Sequence, residues 1–233
     1  MQDFLIGTGY TLIYYITLAS AALLLRLSVR IPDEIFRKLL HCILLGSLPV
    51  YLFGFQHWQW AALSCIVFAA AVYPVLRFFE RFQAYSKTLT ERRHGELKSS
   101  LLVVFSMFAI VISLCWGFFG DRLLTLASIY AWGFGDAAAA LIGKKFGRHK
   151  IPHTKKSCEG TCAMFTVSFL CVFLILTLRG GIVWYGSLLT ALLTAAAAAA
   201  AELYTPGGHD TFTCPMVSMA VLISALHVWG GTI

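Results

Sequence analysis

Apolar residues run through the chain in eight long blocks, 4–27, 37–55, 58–79, 99–119, 121–142, 160–178, 182–201 and 211–230. A helix rising about 1.5 Å per residue needs about 20 such residues to cross a hydrocarbon layer about 30 Å thick. The pattern therefore predicts an all-α, polytopic membrane bundle of eight transmembrane helices in one domain spanning residues 1–233. The second block is the weakest, because Arg37, Lys38 and His41 occupy its first turn; without it the count is seven. The first block is expected to be a retained span, since Met1-Gln2-Asp3 lacks the basic region that opens a cleaved signal peptide.

The breaks between blocks alternate in character. Gln56-His57, Gly120 and the stretch 179–181 are short and carry almost no charge. The others are long and basic. Arg26, Arg30, Arg37 and Lys38 surround the first, and Arg77, Arg81, Lys87, Arg92, Arg93 and Lys98 the second. Lys144, Lys145, Arg148, Lys150, Lys155 and Lys156 fill the third. Sixteen of the 18 Lys and Arg thus fall on one side, leaving Arg122 and Arg179 on the other. Positive charge in short loops stays cytoplasmic. Both termini are expected outside, with the basic loops and residues 202–210 in the cytosol.

Composition narrows the class further. Hydrophobic residues make up 59% of the chain and charged ones 12%, about half the share of a soluble domain. This excludes a water-soluble globule, a disordered chain and a merely basic nucleic-acid-binding domain. The net charge of +7 arises in the basic loops, where it serves topology and attraction to anionic lipid. Neither role accounts for six cations within the 13 residues 144–156, which suit an anionic cytosolic substrate. Cys65, Cys115 and Cys171 lie in apolar runs and read as small hydrophobes. Cys158 and Cys162, near His149 and His153, lack the further ligands of a zinc site.

One acidic residue stands inside a span. Asp136 lies in the fifth block, about 9–10 Å from its expected cytosolic end. A carboxylate at mid-helix costs about 2.5–3.5 kcal/mol on insertion scales, so it needs a partner or a wet cavity. Gly133, Asp136, Ala140 and Gly143 share a helix face that is small except for the carboxylate. That face admits either a ligand or a packed helix with Asp136 paired to a cation.

Glu202 and Asp210 bracket the fourth cytosolic connection, which contains Pro206-Gly207-Gly208 and no Lys or Arg. Glu202 reads as a helix end and Asp210 as an N-cap of the last span. Together with Asp136 they supply three hard oxygen donors beside a cationic segment, a set that suits magnesium and a polyphosphate. On the same side, Arg37 and His41 are spaced i, i+4 on one helix face, and Glu96 follows the run Glu91-Arg92-Arg93-His94-Gly95. The chain contains no P-loop, no G-x-G-x-x-G, no H-E-x-x-H and no G-x-S-x-G.

The segment Gly135-Asp136-Ala137-Ala138-Ala139-Ala140-Leu141-Ile142-Gly143-Lys144-Lys145-Phe146-Gly147-Arg148, followed by Lys156-Ser157-Cys158-Glu159-Gly160-Thr161, resembles the membrane-embedded, CTP-dependent lipid alcohol kinases. That family comprises dolichol kinase, phytol kinase and a fungal diacylglycerol kinase. Arg37-Lys38-Leu39-Leu40-His41 is similar to its R-K-x-x-H element, Gly95-Glu96 to its G-E element, and Glu202, Asp210 and Pro215 to its E…D-N-x-x-x-P element. Thr211 stands where the family usually has Asn.

The resemblance implies transfer of the γ-phosphoryl group of CTP to a membrane lipid hydroxyl, with Mg2+, in an integral membrane protein whose site faces the cytosol. The lipid alcohol would be a polyprenol, a phytol-like isoprenoid or diacylglycerol. On it, Asp136, Asp210, Glu202 and His41 are the expected catalytic residues, with Asp136 and Asp210 on the metal or one of them accepting the hydroxyl proton. Lys144, Lys145, Arg148, Lys155, Lys156 and Ser157 would bind the triphosphate, and Arg37 and Glu96 would support them.

Two rivals differ in chemistry. A phosphatidate cytidylyltransferase would move CMP instead; Lys155-Lys156-Ser157-Cys158-Glu159-Gly160 fits its mid-sequence pattern, but the basic late signature is missing. A transporter or scramblase would use Asp136 as an ion site, yet no inverted repeat is visible. The partners expected are a lipid alcohol, a cytosolic nucleotide and the bilayer, with no nucleic acid. Oligomerisation is compatible with the sequence.

Overall fold

A computed structural model describes residues 1–81, 95–152, 154, 156–205 and 209–229. Within them the chain forms α1 (Gln2–Ser28), α2 (Asp33–Gly46), α3 (Leu48–Phe53), α4 (Trp58–Phe79) and α5 (Glu96–Val111). It continues with α6 (Arg122–Phe146), α7 (Cys158–Arg179), α8 (Trp184–Tyr204) and α9 (Asp210–Val228). A π-helical turn, Ile112–Phe118, prolongs α5. Among the described residues there is no strand, and one isolated bridge pairs Lys150 with Ser157. Eight helical segments are long and apolar enough to span a membrane, counting Asp33–Phe53 and Glu96–Phe118 each as one. The protein is an integral membrane helical protein, as its hydropathy pattern predicts.

The second span is present but broken. Ser47 interrupts it, and Pro49 at the start of α3 removes a backbone donor just past the break. The carbonyls exposed there find side-chain donors. Tyr14 Oη donates to the Ile43 carbonyl at 2.8 Å, and Ser47 Oγ donates to that of Leu44 at 2.6 Å. Tyr15 Oη in turn donates to Ser47 Oγ at 2.6 Å. These bonds tie α1 to the α2–α3 break.

The chain divides into two compact units, Met1–Ser113 and Leu114–Ile233. The first is built on aromatic packing: Phe36, Tyr51, Phe55, Phe105 and Phe108 are fully buried, and Phe68 lies between Tyr15 (4.7 Å) and Phe105 (4.9 Å). Offset and edge contacts of this kind add to the area that the rings bury.

The second unit packs on small residues instead. α6 and α7 meet along Gly135, Ala139 and Gly143, four residues apart on α6. A Cβ on Gly135 would come 2.5 Å from Ser168 Oγ. One on Gly160 of α7 would come 3.0 Å from the Ala139 carbonyl and 3.3 Å from the Gly143 Cα. Ser168 Oγ donates to the Ala131 carbonyl across the seam. Without a hydrophobic drive between helices in lipid, such close approach and cross-helix bonds hold the pair together. The face expected from Gly133, Asp136, Ala140 and Gly143 is therefore not the seam; only Gly143 belongs to both. Asp136 sits one residue past Gly135, about 100° round the helix from the packed line.

Candidate functional site

The site is built at one end of the second unit, where α6 and α8 finish and α7 and α9 begin. α6 runs four residues beyond the span expected from hydropathy, so Lys144 and Lys145 lie in its last turn rather than in a loop. Cations are favourable there, against the negative end of the helix dipole. Lys144, Lys145 and Arg148 are exposed.

Beyond α6, backbone bonds draw the described residues 149–151 and 156–158 together as a hairpin. Ile151 N donates to the Lys156 carbonyl at 3.0 Å, and Cys158 N to that of His149 at 2.9 Å. Ser157, almost fully buried, caps α7 by accepting from Gly160 N at 3.2 Å. Glu159 fastens the other side: it accepts from the backbone N–H of Arg148 and of His149 at 3.1 Å each, and meets His149 Nδ1 at 2.7 Å. Glu159 was not among the residues the sequence pointed to. Its signal was available, since an acidic residue in a first helical turn beside a basic loop suits both the helix dipole and the loop's donors. Lys155 and His153 lie outside the described residues.

Lys156 is the link between hairpin and carboxylates. Its Nζ stands 2.8 Å from Glu202 Oε1 and also donates to the Glu202 carbonyl. That carbonyl is among the last four of α8, which have no partner within the helix. One ammonium group thus answers a buried carboxylate and a helix end together. Glu202 is 7% exposed, and the charges of Asp136 and Asp210 both act on it. The same electrostatic neighbourhood includes Cys214, on which Asp210, Glu202 and Lys156 all act. Asp136 on α6, Glu202 on α8 and Asp210 on α9 thus share one electrostatic neighbourhood.

Two details differ from expectation. Asp210 is the first residue of α9 and not its N-cap; His209 holds that position, and no side chain caps the helix. Thr205 Oγ1 and Thr213 Oγ1 lie 3.0 Å apart, closing the connection between α8 and α9. Residues 206–208 of that connection are outside the described set.

Arg37, His41 and Glu96 belong to the first unit. Arg37 Nη2 donates to Glu96 Oε1 at 3.0 Å, joining α2 to the first residue of α5, and Nη1 stands 3.6 Å from Glu34. His41 lies one turn further along α2 and is half-buried. The run Glu91-Arg92-Arg93-His94 is outside the described residues.

For a metal, the donor chemistry is of the hard-oxygen type. Among the described residues no group of three or more His, Cys, Asp or Glu side chains is assembled closely enough to hold an ion. Magnesium keeps several waters and needs only one or two protein carboxylates, and the hard oxygens of Asp136 and Asp210 are of the type it takes.

A helical membrane protein with a carboxylate cluster clamped to a basic hairpin defines the class. The chain is similar to lipid alcohol kinases of the phytol and dolichol type. It is 29% identical to a phytol kinase of Synechocystis over 217 residues, covering 91% of this chain and 88% of that one. It is 47% identical to a dolichol kinase of Schizosaccharomyces pombe over 53 residues, 23% of this chain and 10% of that much longer one. No family model matches the chain, and no solved structure does.

Proposed function

We propose that the protein is a lipid alcohol kinase that transfers the γ-phosphoryl group of CTP to the hydroxyl of a membrane isoprenoid alcohol, giving a lipid phosphate and CDP. The observation that carries the reading is the Lys156–Glu202 pair, which fixes the basic connection against a helix-end carboxylate on which the charges of Asp136 and Asp210 also act. The names of the two relatives favour an isoprenoid acceptor over diacylglycerol.

Phosphoryl transfer asks little covalent chemistry of a protein and much positioning and charge stabilisation. Lys144, Lys145, Arg148, Lys155 and Lys156 oppose the triphosphate, and Ser157 sets the start of α7 beneath it. Asp136 and Asp210 would hold Mg2+, which when bound neutralises phosphate charge. Glu202 keeps Lys156 in place. Asp136, seated within a span, is at the depth at which an alcohol arriving through the bilayer meets a nucleotide arriving from water. The cationic end faces the cytosol, by the bias of positive charge.

The test is one assay on purified protein with γ-labelled CTP, Mg2+ and a panel of lipid alcohols. Label in the lipid and release of CDP support the reading. Release of pyrophosphate would instead mean CMP transfer. Flux across proteoliposomes with no nucleotide requirement would mean transport. Chelation of Mg2+ should abolish transfer, and excess Mg2+ should restore it.

A further inference from the structure

Pro215 lies inside α9, in its second turn. A proline has no backbone N–H, so the carbonyl four residues earlier, that of Thr211, loses its helical partner. Helix carbonyls point toward the C-terminal end. The Thr211 carbonyl is therefore aimed from the start of α9 down into the span. Pro215 is buried, so the gap it opens faces the interior of the second unit and not lipid.

A carbonyl without a partner is costly away from water, and in membrane helices a freed one is taken up by a neighbour. The α2–α3 break shows such a repair, with Tyr14 and Ser47 donating to the carbonyls of Ile43 and Leu44. In α9 the local hydroxyls go elsewhere. Thr213 Oγ1 donates to the His209 carbonyl at 3.1 Å and stands 3.0 Å from Thr205 Oγ1. Among the described residues no side chain donates to the Thr211 carbonyl. This acceptor also belongs to the turn that carries the site. Asp210 precedes Thr211, and Cys214, fully buried beside the proline, lies in the field of Asp210, Glu202 and Lys156.

We infer that the Thr211 carbonyl accepts a hydrogen bond from the hydroxyl of the lipid alcohol, and that Pro215 is the positioning residue that keeps it open. This docking rests on the kinase reading and extends it to the one polar group of the acceptor. An isoprenoid alcohol carries a single donor, and it enters from the membrane, toward which this carbonyl points. A neutral acceptor holds the hydroxyl without adding negative charge beside a triphosphate, and it leaves the lone pairs of the hydroxyl oxygen free for the γ-phosphorus.

The unaltered full chain is first assayed with γ-labelled CTP and with phytol or a polyprenol. No lipid label from either would sink the kinase reading and the docking with it. Pro215→Ala restores the N–H and closes the carbonyl. KM for the better alcohol should then rise about 3- to 10-fold, the worth of one neutral hydrogen bond, while KM for CTP and the unfolding midpoint hold. Pro74→Ala makes the same change inside α4 and should move neither KM. An unchanged KM for the alcohol, or an equal rise for CTP, would overturn the docking while the kinase reading stands. Should Pro215→Ala fail to fold, the carbonyl is read in the unaltered protein by nuclear magnetic resonance. Thr211-Phe212 is the only Thr-Phe pair in the chain, so threonine labelled at its carbonyl carbon and phenylalanine labelled at its nitrogen mark that one peptide group. Its carbonyl resonance should shift when the alcohol is added without nucleotide, and not when its methyl ether, which has no donor, is added. No shift with the alcohol, or equal shifts with both, would overturn the docking.

Discussion

At one end of the second unit Lys156 meets Glu202, on which two further acids act; at the other Arg179 meets Asp121, which also caps its helix. Both are ion pairs between a helix and a connection, and both are largely withdrawn from solvent. They differ in what surrounds them. The Arg179 pair closes on itself, each partner satisfying backbone groups of its own turn. The Lys156 pair is embedded in excess charge of both signs, six cations along 144–156 and two acids besides Glu202. A pair that satisfies itself serves the fold, whereas one held amid like charges is tolerated for chemistry, since uncompensated buried charge is costly.

The sharpest way to break this contrast is Asp136→Asn, which keeps size and removes charge. Transfer from γ-labelled CTP should fall by about 10³-fold, roughly 4 kcal/mol of transition-state stabilisation, while the unfolding midpoint in detergent holds or rises. Near-normal turnover would remove the cluster from the mechanism. Next, Lys156→Met should lower activity by about 10²-fold and cost about 1–3 kcal/mol of stability, because Glu202 is left buried without a partner. Adding Glu202→Gln to Lys156→Met should return the stability and leave the activity low; if both return together, the pair is structural only.

At the quiet end the prediction inverts. Arg179→Met should cost about 1–3 kcal/mol of stability with turnover per folded molecule unchanged, read by comparing unfolding midpoint and active-fraction kinetics. Loss of turnover there would erase the distinction between the ends. The smallest effect is expected from Glu159→Gln, whose amide still accepts from Arg148 and His149 but carries no charge. KM for CTP should rise by a few-fold with kcat nearly constant; an unchanged KM would show that the hairpin keeps its place without this carboxylate.

Much of the fold was legible because apolar blocks are long and the bilayer sets their length. The ends were less so. Lys144, Lys145 and Phe146 prolong α6 past the apolar run, since long basic side chains reach the interface while their backbone stays helical. The break at Ser47 leaves no hydropathy trace, because the apolar residues continue through it and the repair comes from Tyr14 and Tyr15 on another helix. The three acids were legible one by one, Asp136 by its misplaced charge and the others by their place at helix ends. Their shared neighbourhood was not, because Lys156 and Glu202 are 46 residues apart and no local rule links them. Which face of α6 packs stayed open in the sequence for a similar reason. Helical spacing offers several small faces on α6, and only Gly160 and Ser168 of α7 decide which one is used.

The Glu159 clip has one more effect. A stretch so rich in positive charge would, left alone, spread out and sample many shapes, and a ligand would have to gather it. Bound through its backbone to the first turn of α7, the hairpin already holds its shape when the substrate arrives. Its described cations are then spaced by the fold and not by the visitor, so a phosphate-bearing ligand would meet an arrangement already set.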